Sequence, residues 1–573
     1  MESYKNQWLV NKVDDATSKK LSLDLKISIE LSKILVSRGI TDFKSAEHYF
    51  RPREQHFHNP FLMKGMDISV LRLKSAIEEN QNILIYGDYD VDGTCSVALM
   101  VRFLKKINAS VQYYQPHRET EGYGVSLKSV RWSVKNKIDL VIALDCGIKD
   151  LLAAEALKKN NIDLIICDHH KPGEELPEAF TILNPKQEDC NYPFKELCGC
   201  GIGLKLIQAY VEKFNLQFNF NSLYQLAAVA TAADVVPLKD ENRLITYLGL
   251  KEINISPINP LKILFSNLKK EGSINIGDLI FKVAPRINAA GRLDTAILAA
   301  DFLISDSKEA IKSFKEIEKN NEHRKNLDEK TTFQAIEFLN NQPKKRFTNF
   351  VHSNKWHKGV VGIVASRIIE KHYKPTIVLT DDGDVLTGSA RSVKDFDIYS
   401  VLDSLKHYFI RFGGHKYAAG LSLKKENLEP FKKAFEDEVK KHIKKENLIP
   451  KIYIDHELTL KTLFEDVNIQ NNPKIFRIVQ QMEPFGVGNP KPIFIFKSLI
   501  NYSKPRIVGE NHIKFQFSDT QKENTINGIW FNSVSSYELI KNQNQMEVVG
   551  SIDENIFRDQ RTIQILIKDI RIV

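Results

Sequence analysis

A short run with strand character, Ile83-Leu-Ile-Tyr86, is stopped by Gly87 and followed by three carboxylates at alternate positions, Asp88, Asp90 and Asp92. Gly93 comes next, then a helical run of mostly small residues, Thr94 to Met100. Three carboxylates in five residues repel one another unless cations or protons neutralise them. A strand that ends in such acids and turns into a helix is a place to hold divalent cations. The same spacing opens a calcium loop of the EF-hand kind. That loop needs Glu at its twelfth position, where this chain has Leu99, and a helix rather than a strand before it. Taken alone, the stretch also fits a solvated acidic turn.

The surroundings decide between these readings. From about residue 80 to 240, apolar strands alternate with amphipathic helices. Strands are expected at Ile83–Tyr86, Val111–Tyr114, Leu140–Leu144 and Leu164–Cys167, with helices such as Ser126–Asn136 and Leu151–Asn160 between them. This is an α/β pattern with a mostly parallel sheet, and such sheets bind ligands beyond the carboxyl ends of their strands. The third strand runs into Asp145, the fourth into Asp168-His169-His170, and a later helix, Leu223–Ala233, into Asp234. Singly, an Asp after a strand is often a helix cap, and a His pair is often surface or core. Jointly, four elements offer carboxylate or imidazole, three of them at one sheet edge. That favours two divalent ions bridged by a shared Asp. An oxygen-rich set with one or two imidazoles suits Mn²⁺ or Mg²⁺ better than zinc.

Length and charge frame this site. A chain of 573 residues is too long for one core, and three or four domains are expected. A composition 42% hydrophobic and 27% charged reads as soluble and globular, and a net charge of +9 suits a polyanionic partner. Met1-Glu-Ser-Tyr-Lys5 lacks the apolar core of a signal peptide, and no apolar run is long enough to span a bilayer. The six cysteines all lie in the first 200 residues without a Cys-x-x-Cys pair. Cys95, Cys146 and Cys167 read as buried thiols, and the spacing of Cys190, Cys198 and Cys200 fits no zinc pattern. A cytoplasmic location is expected.

Residues 1–75 read as an N-terminal arm packed on the domain that follows, with Arg51, Arg53, His56 and His58 on a solvated surface. Residues 76–240 form the α/β catalytic domain and 241–345 a helical connector. Within it, Asp301 to Asn341 carries few turn signals and a narrow stripe of Ile311, Phe314, Ile317, Leu327, Phe333 and Ile336. One helix of about 35 residues would reach about 50 Å as a spacer between lobes; a broken pair of ordinary helices is the alternative. Just before it, Pro285-Arg-Ile-Asn-Ala-Ala-Gly-Arg292 offers Arg286, Asn288 and Arg292 for hydrogen bonds to phosphates.

Residues 346–448 read as a second α/β domain. Trp356-His-Lys-Gly-Val-Val-Gly362 opens a helix whose first amides can face an anion, and Gly388-Ser-Ala-Arg-Ser392 and Gly413-Gly-His415 follow. Leu428 to Lys445 reads as a solvated amphipathic helix. Residues 449–573 turn to β, with near-strict alternation in His512–Ser518 and Thr562–Ile567 among about five strands. Phe485, Phe494, Tyr502, Trp530 and Phe531 are candidates for stacking on bases, most of them expected to be core.

The set Gly87-Asp-Tyr-Asp-Val-Asp-Gly93, Asp145, Asp168-His169-His170 and Asp234 resembles the DHH phosphoesterase superfamily. Pro116-His-Arg118, Glu121-Gly-Tyr-Gly124, Pro285–Arg292 and Phe412-Gly-Gly-His415 extend the resemblance to its exonucleases specific for single-stranded DNA, over roughly residues 60 to 573. The resemblance implies a multidomain α/β protein: a DHH domain with a mostly parallel sheet, a long connecting helix, a DHHA1 domain and a C-terminal OB-type β-barrel, a common single-strand platform. It implies that Asp90, Asp92, Asp145, His169 and Asp234 ligate two Mn²⁺ or Mg²⁺ ions, with Asp145 bridging and Asp88 a ligand or a neighbour of one. His170 would contact the scissile phosphate, and Asp168 would orient the imidazoles. Ser389, Arg391 and Arg118 would hold a 5′-terminal phosphate, Arg286 would contact DNA, and His415 would lie near the scissile end. The implied activity is 5′→3′ hydrolysis of single-stranded DNA to mononucleotides in recombination and repair. It would be carried out by a monomer that meets a single-strand-binding protein and a helicase and no membrane. Two rivals are a phosphodiesterase of short oligoribonucleotides or cyclic dinucleotides, against which the C-terminal barrel argues, and a DNA-binding relative without metals, against which the complete ligand set argues. No Ser/His/Asp or Cys/His constellation suggests a covalent route.

Overall fold

The computed structural model describes residues 6–573 apart from 269, 271, 294, 343–344, 470–471 and 558–559. Met1 to Lys5, read above for a leader, lie outside the described residues. The chain divides into two compact units, residues 57–449 and residues 1–56 with 450–573.

The larger unit begins with the expected parallel sheet. Strand β1 (Ile83–Gly87) leads into helix α1 (Val91–Lys106). After it come β2 (Val111–Tyr114), α2 (Leu127–Lys135), β3 (Leu140–Leu144), α3 (Leu151–Lys159), β4 (Asp163–Cys167) and β5 (Thr181–Leu183). The spatial order is β2-β1-β3-β4-β5, all parallel. Every residue of β1 and β3 is buried, which is why these strands read as unbroken apolar runs rather than alternating ones. Helix α1 is capped by Asp90, whose carboxylate accepts from the Gly93 amide at 3.0 Å, and ends on Lys105 and Lys106, which suit the negative end of its dipole. A Cβ at Gly93 would fall on the Asp88 peptide, so only glycine lets the first turn of α1 lie against the acidic loop. Helices α4 (Gly199–Lys213) and α5 (Asn221–Ala233) pack on the same core through Ile202, Leu206, Leu226 and Val229.

Helix α6 (Ala284–Leu293) precedes the long helix α7 (Glu309–Asn340), 32 residues and about 48 Å at the usual rise. It is continuous, but it starts later than expected. Ile297–Ile304 is a separate helix, ended by the polar Ser305-Asp306-Ser307. The apolar stripe is also less complete than read. Phe314 and Ile317 are buried, whereas Ile311 and Phe333 are 47% and 71% exposed. Mid-helix the buried face is polar instead: Asn321, Arg324, Asp328 and Thr332.

The second sheet comprises β6 (Asn349–His352), then α8 (Val361–Lys371), β7 (Thr376–Asp382), β8 (Val385–Arg391), β9 (Phe409–His415) and β10 (Ala418–Lys424), in the order β9-β10-β8-β7-β6. Helix α9 (Leu428–His442) buries Phe431, Phe435 and Val439 and turns its lysines outward.

In the other unit, five strands close on themselves: β11 (Phe494–Val508), β12 (His512–Ser518), β13 (Thr525–Trp530), β14 (Gln545–Phe557) and β15 (Gln560–Ile572). The ladder runs β11-β12-β13-β15-β14 and returns from β14 to β11, the closed five-stranded barrel expected. Of the aromatic candidates, Phe494 is wholly buried, and Phe485 and Trp530 pack against the core. Tyr502 and Phe531 are 54% and 50% exposed. One expectation is corrected here. Residues 6–56 pack with this barrel unit rather than with the domain that follows them. Gln7–Val10 pairs in parallel with Lys451–Ile454, and Leu31, Ile34 and Leu35 join Phe476 and Phe496 in one core. Among the described residues no helix is long and apolar enough to cross a membrane.

Candidate metal centre

Strands β1, β3 and β4 are parallel neighbours in register, with Gly87 beside Leu144 and Leu144 beside Cys167. Whatever follows them meets at one edge. Asp88 and Asp90 follow β1, Asp145 follows β3, and Asp168, His169 and His170 follow β4. Asp234 caps the C-terminus of α5. Ligand atoms of Asp88, Asp90 and Asp145 lie within 4.8 Å of one another, as do those of Asp92, His169 and Asp234 and those of Asp145, His169 and His170. His169 Nε2 stands 3.2 Å from Asp145 Oδ1 and 3.7 Å from Asp234 Oδ2. Asp145 thus sits where the acidic loop and the imidazoles meet.

The electrostatics fit cations. Asp88 Oδ1, Asp145 Oδ1, His169 Nε2 and Asp234 Oδ2 are buried and make no hydrogen bond. Buried polar atoms are rarely left so, and four that converge are a donor set suited to a positive partner. Burial first, and then the charge of neighbouring acids, holds the Asp88, Asp145 and Asp234 carboxyls well above their usual range. Burial, with His170 nearby, pushes His169 down to about 3, so its imidazole is neutral and free to ligate. Carboxylates with one neutral imidazole are the donor chemistry of Mn²⁺ and Mg²⁺.

Two devices fix side chains of this cluster. Asp92 accepts from the amides of Gly199 at 2.6 Å and Cys200 at 2.8 Å, the first turn of α4. The positive end of that helix anchors a buried carboxylate. Asp168 accepts from His170 Nδ1 at 2.8 Å and from the amides of His170 and Ile148, each at 3.0 Å. Burial works against charge on His170, but Asp168 outweighs it, and His170 titrates above its ordinary value. The described bonds of Asp168 reach His170 and not His169.

A second cluster gathers guanidinium groups. Arg118 lies over the Tyr89 ring, 5.3 Å from its centroid, and Tyr89 stands between Asp88 and Asp90 in the chain. Arg292 Nη1 donates to the Gly359 carbonyl at 3.2 Å. Arg391 Nη1 donates to Ser389 Oγ at 2.6 Å, and its Nη2 would stand 3.1 Å from a Cβ at Gly362, in the first turn of α8. Burial, then the charges of Arg118, Arg324 and Arg391, pushes Arg292 down to about 10. Like charges held together beside a helix N-terminus are arranged for an anion.

Arg286 is engaged elsewhere, with Glu318 at 2.8 Å and the Lys282 carbonyl, and Asn288 is half-buried on the same helix. His415, exposed at the end of β9, is held below its usual value by partial burial and then by the charge of His170. Sequence reasoning missed the Gly199 and Cys200 amides, because every residue carries one. It quoted Glu121-Gly-Tyr-Gly124 without a role for Tyr123, whose hydroxyl reaches His170.

Family models match three stretches: the DHH family N-terminal domain at residues 82–232, the DHHA1 domain at 344–441 and the RecJ OB domain at 455–569. The chain is 34% identical to the single-stranded-DNA-specific exonuclease RecJ of Bacillus subtilis (strain 168), over 99% of this chain and 71% of that one. It is 29% identical to the protein of the same name in Escherichia coli (strain K12), over 94% and 95%. Among solved structures, RecJ in complex with Mn²⁺ from Thermus thermophilus superposes with a TM-score of 0.84 at 25% identity, covering 100% of this chain and 80% of that one. An exonuclease RecJ bound to manganese gives 0.58 at 31% identity, covering 66% and 96%.

Proposed function

The chain belongs to the RecJ family of single-stranded-DNA-specific exonucleases, and from that premise we propose how its residues divide the work. It is a metal-dependent exonuclease of single-stranded DNA that uses Mn²⁺ or Mg²⁺. Asp90, Asp92, Asp145, His169 and Asp234 would hold the two ions, with Asp145 placed between the other donors and Asp88 beside it. When bound, the cations supply the charge that activates a water and offsets the negative charge growing on the attacked phosphate. Asp168 keeps the proton on His170 Nδ1, so that the other edge of the ring meets the scissile phosphate. Burial, then the charge of Asp90, pushes Asp92 up to about 7, and the amides of Gly199 and Cys200 work against this by favouring its ionised form while they aim it.

The observation that carries the exonuclease reading is the guanidinium cluster beside the first acidic motif. Arg118 stacks on Tyr89, within the loop that also carries Asp88 and Asp90. A 5′-terminal phosphate held by Arg118, Arg292, Ser389 and Arg391 leaves the first linkages of the strand at the cations. That geometry favours release of mononucleotides from the 5′ end. His415 assists near the scissile end, and Arg286 and Asn288 lie farther along the strand. Exposed Tyr502 and Phe531 on the barrel offer stacking for bases. Contact with a single-strand-binding protein and a helicase, a monomeric state and a cytoplasmic place in recombination and repair belong to the same reading.

The test is digestion of 5′- and 3′-labelled single strands with Mn²⁺. Early release of 5′ label as mononucleotide supports it. Early release of 3′ label, or cleavage of dinucleotides but not of long strands, refutes it.

A further inference from the structure

The loop between β2 and α2 carries Glu121-Gly-Tyr-Gly124, and it is fastened on all sides. Glu121 accepts from Tyr114 Oη, Ser126 Oγ and the His117 amide. The Gly124 carbonyl accepts from Tyr86 Oη at 2.7 Å, and the Val125 amide donates to Asp150 at 2.6 Å. So held, the loop delivers Tyr123 to the metal centre. Its hydroxyl donates to the Asp145 carbonyl at 3.0 Å and stands 3.0 Å from His170 Nδ1, with the two rings edge-on and their centroids 5.5 Å apart. A hydroxyl has one proton, and a carbonyl can only accept. The Tyr123 oxygen therefore accepts from His170 Nδ1–H, which it shares with Asp168 Oδ1.

We propose that Tyr123 is a positioning residue for His170. One hydroxyl ties the imidazole to the peptide of the shared ligand Asp145, so the ring cannot turn without breaking both bonds. Nδ1 keeps its proton, and Nε2 stays in register with the carboxylates. Asp168 alone leaves the ring free to pivot about a single side-chain contact; the second acceptor removes that freedom. The proposal rests on the reading of His170 as the imidazole that meets the phosphate.

Tyr123→Phe removes one oxygen and keeps the ring. On a 5′-phosphorylated single strand with Mn²⁺, kcat is expected to fall about 10- to 100-fold, the usual effect of losing an orienting partner. KM is expected to stay within about 2-fold, as for a contact that does not bind ground-state substrate. The Mn²⁺ binding midpoint, read from the electron paramagnetic resonance of the free ion, is expected to stay within about 3-fold, since the hydroxyl touches a peptide oxygen and not a ligand atom. In a His170→Ala background the same substitution should add no further loss. An unchanged kcat overturns the proposal. So does an equal further loss in the His170→Ala background, or a Mn²⁺ midpoint shifted enough to explain the slower turnover. A His170→Ala enzyme with wild-type kcat would instead remove the role of His170 itself, and that of Tyr123 with it.

Discussion

Replacing Gly199 by alanine should damage the metal centre while leaving the fold in place. The added Cβ would lie 2.5 Å from Asp145 Cβ, 2.7 Å from Asp145 Cα and 2.8 Å from Asp145 Oδ1. Carbon atoms in ordinary contact stay about 3.5–4.0 Å apart, so something must move by about 1 Å. Neither side can yield alone. Asp145 is held by its amide on the Cys167 carbonyl at 2.9 Å and by Tyr123 on its own carbonyl. Gly199 is held by its amide on Asp92 at 2.6 Å. Overpacking of this kind costs about 1–3 kcal/mol. Alanine's helix preference over glycine offsets at most about 1 kcal/mol. The expected net loss is about 1–2 kcal/mol, seen as a modest fall in melting temperature with unchanged circular dichroism. The chemistry should suffer more. A shift of about 1 Å near reacting groups costs about 100-fold in rate. Mn²⁺ affinity should fall about 10- to 100-fold, because two ligands, Asp92 and Asp145, are disturbed together. Titration with Mn²⁺ and single-turnover cleavage at saturating metal would separate the two effects. A Gly199→Ala protein with wild-type Mn²⁺ affinity and rate would refute the packing argument.

Three further outcomes are expected. Asp145→Ala should abolish metal binding and cleavage while the fold survives. Asp145→Asn is the gentler variant, since the left-handed backbone there (φ 63°) suits Asn better than Ala, and an active enzyme in either case would exclude this site. Without metal, stability should fall as pH rises. The Asp88, Asp145 and Asp234 carboxyls titrate well above the value of about 3.9 of the unfolded chain, so they favour the folded state at low pH and lose that contribution as pH climbs through their folded values. Melting should therefore come at a lower temperature at about pH 8 than at about pH 5.5, with Mn²⁺ restoring more at the higher pH; a metal-free melting temperature that rises over this range would contradict it. Arg391→Ala should weaken binding of a 5′-phosphorylated strand about 10- to 100-fold, the worth of a charge-assisted hydrogen bond, and leave a 5′-hydroxyl strand unaffected. Equal losses on both strands would argue against a terminal-phosphate site.

The cluster of acids and imidazoles was legible because its members follow apolar runs whose burial forces a parallel sheet, and a parallel sheet brings Asp88, Asp145 and Asp168 to one edge. The barrel was legible from alternation in His512–Ser518 and Thr562–Ile567. What stayed hidden has no local signal. Gln7–Val10 pairs with Lys451–Ile454 across most of the chain, and nothing in either segment names its partner. The amides of Gly199 and Cys200 leave no mark in the sequence, because a backbone donor is common to nearly every residue. Arg286 and Arg292 look alike in sequence. Only packing commits the first to Glu318 and gathers the second with Arg118 and Arg391. The buried middle of α7 was read as apolar because charge pairing at Arg324 and Asp328 leaves no periodic trace.

Anomalous scattering from crystals soaked in Mn²⁺ tests the central claim most directly. Two peaks per chain are expected with Asp145 between them, one toward Asp88 and Asp90 and one toward Asp92, His169 and Asp234. Peaks elsewhere, or none at these side chains, would contradict it.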